Sequence, residues 1–145
     1  MKQAANVKYI AITPPAAIVD NAAFTTAAVD TKGWGHMTIL ALFGAIDIAP
    51  ASASIRYSDS SDMSSPTTLA AGGTDFALAT AAGSDNDFHV FEVELDGTKG
   101  RYVDFEITGG DGTAGTYLTV IAILSRPSSS PNSAATRGAE VHGTF

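Results

Sequence analysis

The 145-residue sequence has no cysteine, only three histidines and a single tryptophan. Without cysteine the chain can form no disulfide framework, no thiolate-ligated zinc site and no cysteine nucleophile. The histidines lie far apart in the sequence, so a histidine-rich metal site is not expected either. Composition therefore predicts a protein without a metal, a cofactor or an obvious catalytic group.

Basic residues and long apolar segments are also scarce. Eight lysine and arginine residues stand against 15 acidic residues, which gives a formal net charge of −7. This balance disfavours a nucleic-acid-binding protein, because phosphate binding depends on basic side chains. No stretch approaches the roughly 18 apolar residues of a membrane span, and no export signal is visible near Met1. We expect a soluble domain that binds neither nucleic acid nor membranes.

The sequence does contain short alternating segments, separated by glycine, proline, aspartate and serine. Apolar and polar residues alternate with the period of a β-strand, and no long helical period is present. The predicted strands are Val7 to Ile12, Ala22 to Val29, His36 to Phe43, Ser52 to Ser58, Phe88 to Leu95, Arg101 to Thr108 and Tyr117 to Leu124. One or two short edge strands are expected between residues 59 and 87. About seven or eight strands at this spacing predict an all-β protein, an antiparallel β-sandwich or jelly roll, with a barrel as the alternative.

Two features of these strands predict how they are arranged. His36 to Phe43 and Tyr117 to Leu124 are apolar on both sides, so we expect both to be central strands covered on each face. Phe88 to Leu95 and Arg101 to Thr108 are joined by a glycine-bearing turn, Asp96 to Gly100. This connection predicts a β-hairpin, and the alternation of its second strand predicts that Val103, Phe105 and Ile107 point inward.

The last 20 residues differ from the rest. From Arg126 the tail has two prolines, many serines and only Val141 and Phe145 as large apolar side chains. These are too few to offset the entropy cost of ordering the segment alone. We therefore divide the chain into one β-sandwich domain, residues 1–125, and an extended Pro/Ser-rich C-terminal arm, residues 126–145.

Two loops contain residues that bind ions in other proteins. Asp59 to Asp62 offers carboxylate and hydroxyl oxygens, but it lacks the spacing of a calcium-binding loop. Gly109 to Gly115 lacks the lysine and the helix that complete a phosphate-binding loop. A solvated turn is the stronger prediction for the first loop, and a turn that needs positive φ for the second.

Ionisable residues in the strands provide weak support for catalysis. His89 lies beside Asp87, but no nucleophile motif accompanies the pair. Acidic residues on the predicted outer faces of two consecutive strands could act as paired carboxylates in glycoside hydrolysis: Glu92, Glu94, Asp104 and Glu106. The same pattern is typical of a solubilising surface, so the prediction is a protein that is not an enzyme.

Trp34 lies between two glycines immediately before a central strand. Its ring could stack against a sugar or a base, although large aromatic side chains more commonly cover an open end of the core. Together with the loop Asp59 to Asp62, it supports an alternative function. That alternative is a receptor- or carbohydrate-binding β-sandwich module of a tail fibre or a cell surface.

The order of motifs between Ile18 and Arg126 resembles a known family. The segments that carry the resemblance are Ile18–Asn21, Val29–Trp34, Leu42–Asp47, Ile55–Ser60, Asp75–Phe76, Gly110–Tyr117 and Ile121–Arg126. They are similar to the small β-rich proteins encoded beside the major capsid protein of tailed bacteriophages, which resemble capsid cement (decoration) proteins. The resemblance implies a jelly-roll-like subunit, often a homotrimer, on the outer surface of the virion. It carries over no catalytic residue.

The expected partners follow from this resemblance. A cement protein binds the major capsid protein and bridges neighbouring capsomers. An acidic surface favours basic patches on a shell over packaged DNA, and an extended arm can add a strand to a neighbour. The candidate partner-binding residues are Trp34, Arg137, Val141 and Phe145.

Overall fold

The computed structural model describes residues 6–13, 17–46, 48–78, 86, 88–113 and 115–129. These residues form ten β-strands and no α-helix. The strands are β1 Val7–Ala11, β2 Ala17–Val19, β3 Ala22–Thr25, β4 Val29–Asp30, β5 Trp34–Ile46, β6 Ser52–Ser58, β7 Thr67–Ala71, β8 Phe88–Glu94, β9 Tyr102–Gly109 and β10 Thr116–Pro127. The described residues include no helix capable of crossing a membrane.

The strands form two antiparallel sheets. Sheet A has the order β1-β10-β5-β8 with β2 also beside β10, and sheet B has the order β3-β9-β6-β7 with β4 also beside β9. β1 and β2 pair with successive parts of β10, and β3 and β4 pair with successive parts of β9. Each of these pairs is one interrupted edge strand, so the ten strands occupy eight positions. This is the strand order of a jelly roll, and the predicted all-β sandwich is confirmed.

Buried threonines complete the hydrogen bonding where the edge strands are interrupted. Thr13 Oγ1 accepts a hydrogen bond from Val120 N at 2.7 Å, and Thr26 Oγ1 accepts one from Phe105 N at 3.0 Å. Each hydroxyl thereby satisfies a buried backbone N–H that has lost its ladder partner. The sequence marks the first interruption with Pro14–Pro15, because proline has no N–H to donate.

The core lies between the sheets. The alternation of each strand turns one set of side chains inward, and these side chains are almost completely buried. Sheet A contributes Met37, Ile39, Ala41, Phe43, Val93, Leu118, Val120, Ala122 and Leu124, and sheet B contributes Ala53, Ile55, Val103, Phe105 and Ile107. The predicted inward positions of the strands are therefore confirmed.

The predicted hairpin between Phe88 to Leu95 and Arg101 to Thr108 is wrong. β8 pairs with β5 in sheet A, whereas β9 pairs with β6 in sheet B. The intervening turn crosses between the sheets, and Gly100 is required there because a Cβ would approach the Ser58 backbone to 2.5 Å. Phe91 and Phe105 instead stack across the core with ring centroids 5.8 Å apart. Alternation determines which side chains face inward, but it does not determine whether successive strands lie side by side or opposite each other.

The other strand predictions differ from the structure in their limits. The segment Ala22 to Val29 is divided into β3 and β4, and the expected edge strand of the long excursion is β7. β10 continues to Pro127, so the first two residues of the predicted arm belong to the sandwich. Ser128 N then donates a hydrogen bond to Gly33 O at 2.8 Å. Residues 130–145 of the arm lie outside the described residues.

Candidate interaction surface

A row of apolar side chains crosses the outer face of sheet A. The strand register places Ala11 beside Ile121, Ile121 beside Leu40, and Leu40 beside Val90. Directly paired residues share a face of the sheet, so these four side chains form a continuous row over all four strand positions. The row exists because β5 and β10 are apolar at alternate positions on both sides.

Further apolar residues extend this row in both directions along the strands. Ile123 lies beside Tyr9 on one side of the row, and Leu42 lies beside Phe88 on the other. Several of these side chains are well exposed, among them Phe88 at 60% and Tyr117 at 47%. We define the apolar face as Tyr9, Ala11, Leu40, Leu42, Phe88, Val90, Tyr117, Ile121 and Ile123.

Charged groups are confined to one end of this surface. Among the described residues, Glu92 is the only carboxylate within the rows of the apolar face, and it lies beside Thr38 at the β8 margin. Beyond it, His36 Nδ1 contacts Ser125 Oγ at 3.2 Å, and Arg126 forms an ion pair with Glu94. The centre of the face is therefore uncharged.

The extent of the apolar face is that of the largest apolar patch on a typical monomer, and such patches are often functional. Strands lie about 4.8 Å apart and outward residues recur about every 6.8 Å, so the nine residues of the apolar face cover roughly 300 Å² in plan. A contiguous apolar patch of that size commonly marks a protein-interaction surface. The prediction that β5 and β10 are central strands is confirmed. The described residues cover the inner face of these strands, and the coverage of their outer face stays a prediction. An apolar pattern predicts coverage without specifying which molecule provides it.

The outer face of sheet B has the opposite character. Arg56 Nε donates to Asp104 Oδ1 at 3.0 Å and Arg56 Nη2 donates to Asp104 Oδ2 at 2.7 Å. Arg56 Nη1 also donates to Glu106 Oε2 at 2.5 Å, and Thr25 Oγ1 donates to the same oxygen at 3.1 Å. Asp104 is fully buried under this network although it points away from the core. The hydrogen bonds with Asp104 raise the pKa of Arg56 above its ordinary value.

The four carboxylates singled out in the sequence are not brought together. Glu92 and Glu94 lie on the outer face of sheet A, whereas Asp104 and Glu106 lie on the outer face of sheet B. The core separates the two pairs, so they cannot act on one substrate bond. The pairs are separated because the Asp96–Gly100 turn crosses from sheet A to sheet B, which also excludes the hairpin.

Trp34 lines a groove at one end of the sandwich. The groove has a volume of about 400 Å³, and its walls include Lys32, Asp59, Lys99 and Arg101. The structure thus brings Trp34 and Asp59 together, as the alternative function requires. Trp34 also packs against the core and is half-buried. The same ring therefore lines the groove and covers one end of the core.

Two of the basic groups at this groove, Arg101 and Lys99, are paired with carboxylates. Arg101 Nε and Nη2 donate to the two carboxylate oxygens of Asp30 at 2.7 and 2.6 Å. These hydrogen bonds lower the pKa of Asp30 to about 2. Lys99 Nζ donates to Asp96 at 3.2 Å, and hydrogen bonds from Thr98 are the main cause of the lowered pKa of Asp96. The groove is polar without an excess of either charge.

The remaining predicted sites have structural roles. Gly110, Gly112 and Gly115 have φ of 77°, 93° and 78°, which confirms a turn that needs positive φ. Asp62 accepts a hydrogen bond from Ser64 N at 2.9 Å within its own loop. No cluster of three metal-ligating side chains occurs in the part of the chain that the structure describes.

His89 and the arm residues are the remaining candidate site residues. The ring of His89 points inward and lies edge-on to Phe43, with ring centroids 5.1 Å apart, while Asp87 lies outside the described residues. The same holds for three candidate partner-binding residues of the arm: Arg137, Val141 and Phe145. Trp34 is thus the one predicted partner-binding residue that the structure describes.

Comparisons with known proteins give little guidance. No family model and no curated protein matches the sequence. Among solved structures, a match is found to pili of Bacillus endospore appendages, described as a novel family of disulfide-linked pili. That match has a TM-score of 0.49 and 12% identity, and covers 83% of this chain and 87% of the other. At this similarity the match says nothing about the function of the chain.

Proposed function

We propose that this chain is a structural virion protein, a cement (decoration) protein on the outer surface of a bacteriophage head. In this role it binds the major capsid protein and stabilises the contacts between capsomers. The single observation that carries the proposal is the apolar face of sheet A, because a surface of this kind belongs inside an assembly. The motif resemblance between Ile18 and Arg126 and the jelly-roll strand order support the same role.

The size of the apolar face supports an assembly role in energetic terms. Removing roughly 300 Å² of apolar surface from water contributes on the order of 7 kcal/mol before the costs of association. Loss of rotational and translational freedom offsets much of this contribution. On a symmetric shell, many copies acting together convert modest contacts into strong retention.

The charge of the chain supports attachment to the outside of a shell. A net charge of −7 repels packaged DNA and favours basic patches on a capsid surface. The network of Arg56, Asp104 and Glu106 satisfies the strongest charges of sheet B internally.

Binding to heads tests the proposal directly. Purified protein is added to heads of the encoding phage that lack it, and bound copies are counted after sedimentation. We expect tens to hundreds of copies per head and a higher temperature of head disruption. The variant Ser52→Ala, on the exposed outer face of sheet B, should bind as the wild-type protein does. Failure to co-sediment, or only a few copies per head, would contradict the proposal.

The groove at Trp34 favours a second candidate, a carbohydrate-binding module. The observation that supports this candidate is that Trp34, Asp59 and Arg101 line one groove of about 400 Å³. This size is within the usual range for small-molecule sites. Binding on a glycan array that Trp34→Leu abolishes and Phe88→Ser leaves intact would support it. The melting temperature of each variant must first show that the domain is folded, because Trp34 also packs against the core.

A further inference from the structure

We infer that residues 137–141 of the C-terminal arm form one more strand of sheet A, antiparallel to β8 and on its free edge. The register pairs three residues of the arm with three outward-facing residues of β8: Arg137 with Glu92, Ala139 with Val90, and Val141 with Phe88. The arm thereby extends the apolar face by one strand. The inference goes beyond the proposed function, because the strand forms within one chain and requires no head shell.

One side of the β8 backbone has no partner among the described residues. Leu95 N, immediately after β8, donates a hydrogen bond to Gly35 O of β5 at 3.1 Å. In an antiparallel pair, residues whose backbone groups bond to the partner strand alternate with residues whose groups point away from it. The N–H and C=O groups of Val90, Glu92 and Glu94 therefore point to the margin of sheet A, where the structure describes no further strand. These groups are open to strand addition.

The other edges of the two sheets are protected in ways that β8 is not. β1 and β2 form an edge that is interrupted at Pro14–Pro15, and β3 and β4 have only four and two residues. β7 has five residues, and its pairing with β6 shifts in register. β8 pairs with β5 over seven successive residues without a shift, and it contains no proline and no lysine. Short strands, prolines, lysines and bulges are the usual means of blocking strand addition, so β8 is the described edge best able to accept a strand.

Glu92 supplies the charge that selects the register. Its side chain is exposed and forms no ion pair within the described residues, whereas Glu94 is paired with Arg126. Arg137 is the only lysine or arginine in the sequence of residues 130–145. Opposite charges directly across two strands stabilise the pair, and like charges destabilise it. Charge complementarity therefore places Arg137 beside Glu92.

The inward positions of the arm suit this register. Gly138 lies beside Phe91, whose ring packs against Phe76 with ring centroids 4.7 Å apart. A residue without a side chain leaves room for that contact, and a glycine within a strand often marks such a close approach. Glu140 lies beside His89, whose imidazole N–H can donate a hydrogen bond to the carboxylate.

The chain can reach this edge in the required direction. β10 ends at Pro127, and Ser128 N bonds to Gly33 O at the end of sheet A where Glu94 also lies. The path from β10 across β5 and β8 to the new position covers three strand spacings, about 14 Å. Residues 128–136 span up to about 30 Å when extended. A chain that leaves the sandwich at this end runs back along β8, which makes the new strand antiparallel to it.

The added strand enlarges the candidate interaction surface. Directly paired residues share a face of the sheet, so Ala139 and Val141 stand on the outer face beside Val90 and Phe88. These two residues of β8 are 49% and 60% exposed. Two candidate partner-binding residues of the arm, Arg137 and Val141, thereby join the surface that the proposed function assigns to the capsid protein.

Paired cysteines in the full-length chain test the register. The chain has no cysteine of its own, and residues directly across two strands lie within disulfide distance. Val90→Cys with Ala139→Cys should form a disulfide within one chain under mild oxidation. Val90→Cys with Glu140→Cys has almost the same tether, but its second thiol is on the opposite face of the strand, so we expect it to react at least about tenfold more slowly. Non-reducing electrophoresis and mass measurement identify the products.

Amide hydrogen exchange tests the charge pair. The N–H groups of Val90 and Glu92 should exchange at least about fivefold faster in Arg137→Glu than in the wild type, because like charges then oppose the pairing. The charge-swapped double variant Glu92→Arg, Arg137→Glu should restore slow exchange. The N–H groups of Phe91 and Val93 point to β5, so their exchange should be the same in all three proteins, which checks the fold.

Three results would overturn the inference. They are equal rates of disulfide formation for the two cysteine pairs, a disulfide that joins two chains, and exchange at Val90 and Glu92 that Arg137→Glu does not change. The head-binding experiment has a separate outcome. A chain that forms the added strand but leaves heads unoccupied contradicts the proposed function alone, whereas a chain that decorates heads without forming the strand contradicts this inference alone.

Discussion

The outer faces of the two sheets differ in how their side chains are covered. Both sheets turn alternate residues inward to one core, which leaves each outer face free to differ. Sheet B covers its outer face with its own charges, where Arg56 binds Asp104 and Glu106. Sheet A leaves Leu42, Phe88 and Tyr117 in water. The difference shows that sheet B covers its outer face with its own paired charges, whereas sheet A leaves apolar side chains exposed.

Asp104→Ala should produce the largest effect on this comparison. The variant removes the fully buried carboxylate and leaves Arg56, whose side chain is only 15% exposed, without its bidentate partner. We expect the free energy of unfolding to fall by about 3 kcal/mol, measured by urea denaturation. A loss below about 1 kcal/mol would mean that the network contributes little to sheet B.

Two further variants calibrate that result. Phe105→Ala removes the neighbouring inward side chain of β9, and core truncations of this kind cost about 3–5 kcal/mol. The double variant Arg56→Met, Asp104→Leu should recover most of the loss of Asp104→Ala, because the one charge that it leaves unpaired, Glu106, is partly exposed to solvent. If the double variant is as unstable as the single one, packing rather than charge explains the effect.

Val90→Ser should have a smaller effect on the isolated chain. Val90 is 49% exposed on the apolar face, so the variant should change the free energy of unfolding of the monomer by less than about 1 kcal/mol. The measurement is made at low concentration, where association is absent. A larger loss would indicate that the outer face of sheet A stabilises the monomer, and the contrast between the faces would then disappear.

Asp30→Asn should have the smallest effect, and it depends on pH. The pKa of Asp30 is lowered from 3.8 to about 2 by Arg101, so its contribution is present above about pH 4 and is lost as the pH falls towards 2. The side chains of Asp30 and Arg101 are 44% and 43% exposed, so solvent screening keeps this contribution below about 1 kcal/mol at neutral pH. Urea midpoints of the wild type and the variant should converge between pH 4 and 2. A constant difference across that window would contradict the assignment.

Local patterns predicted much of the sandwich. The strand Ser52 to Ser58 was predicted with its observed limits, and the inward set Val103, Phe105 and Ile107 is buried as expected. The partial prediction of the site has the same origin, since the doubly apolar pattern of β5 and β10 indicates coverage on both sides. The sequence did not predict the burial of Asp104, although it placed Arg56 correctly within an alternating strand. Nothing in the sequence indicates that these two residues are cross-strand neighbours.

The sequence by itself determined the strand positions and the side chains that face inward, because the two-residue period of a strand is a local property of the backbone. Only the tertiary structure decided that β8 and β9 face each other across the core and that Glu92 and Asp104 lie on opposite outer surfaces. It also decided that the apolar residues of four strands join into one surface. These relations depend on which strands pair, and strand pairing is a long-range choice governed by the whole core.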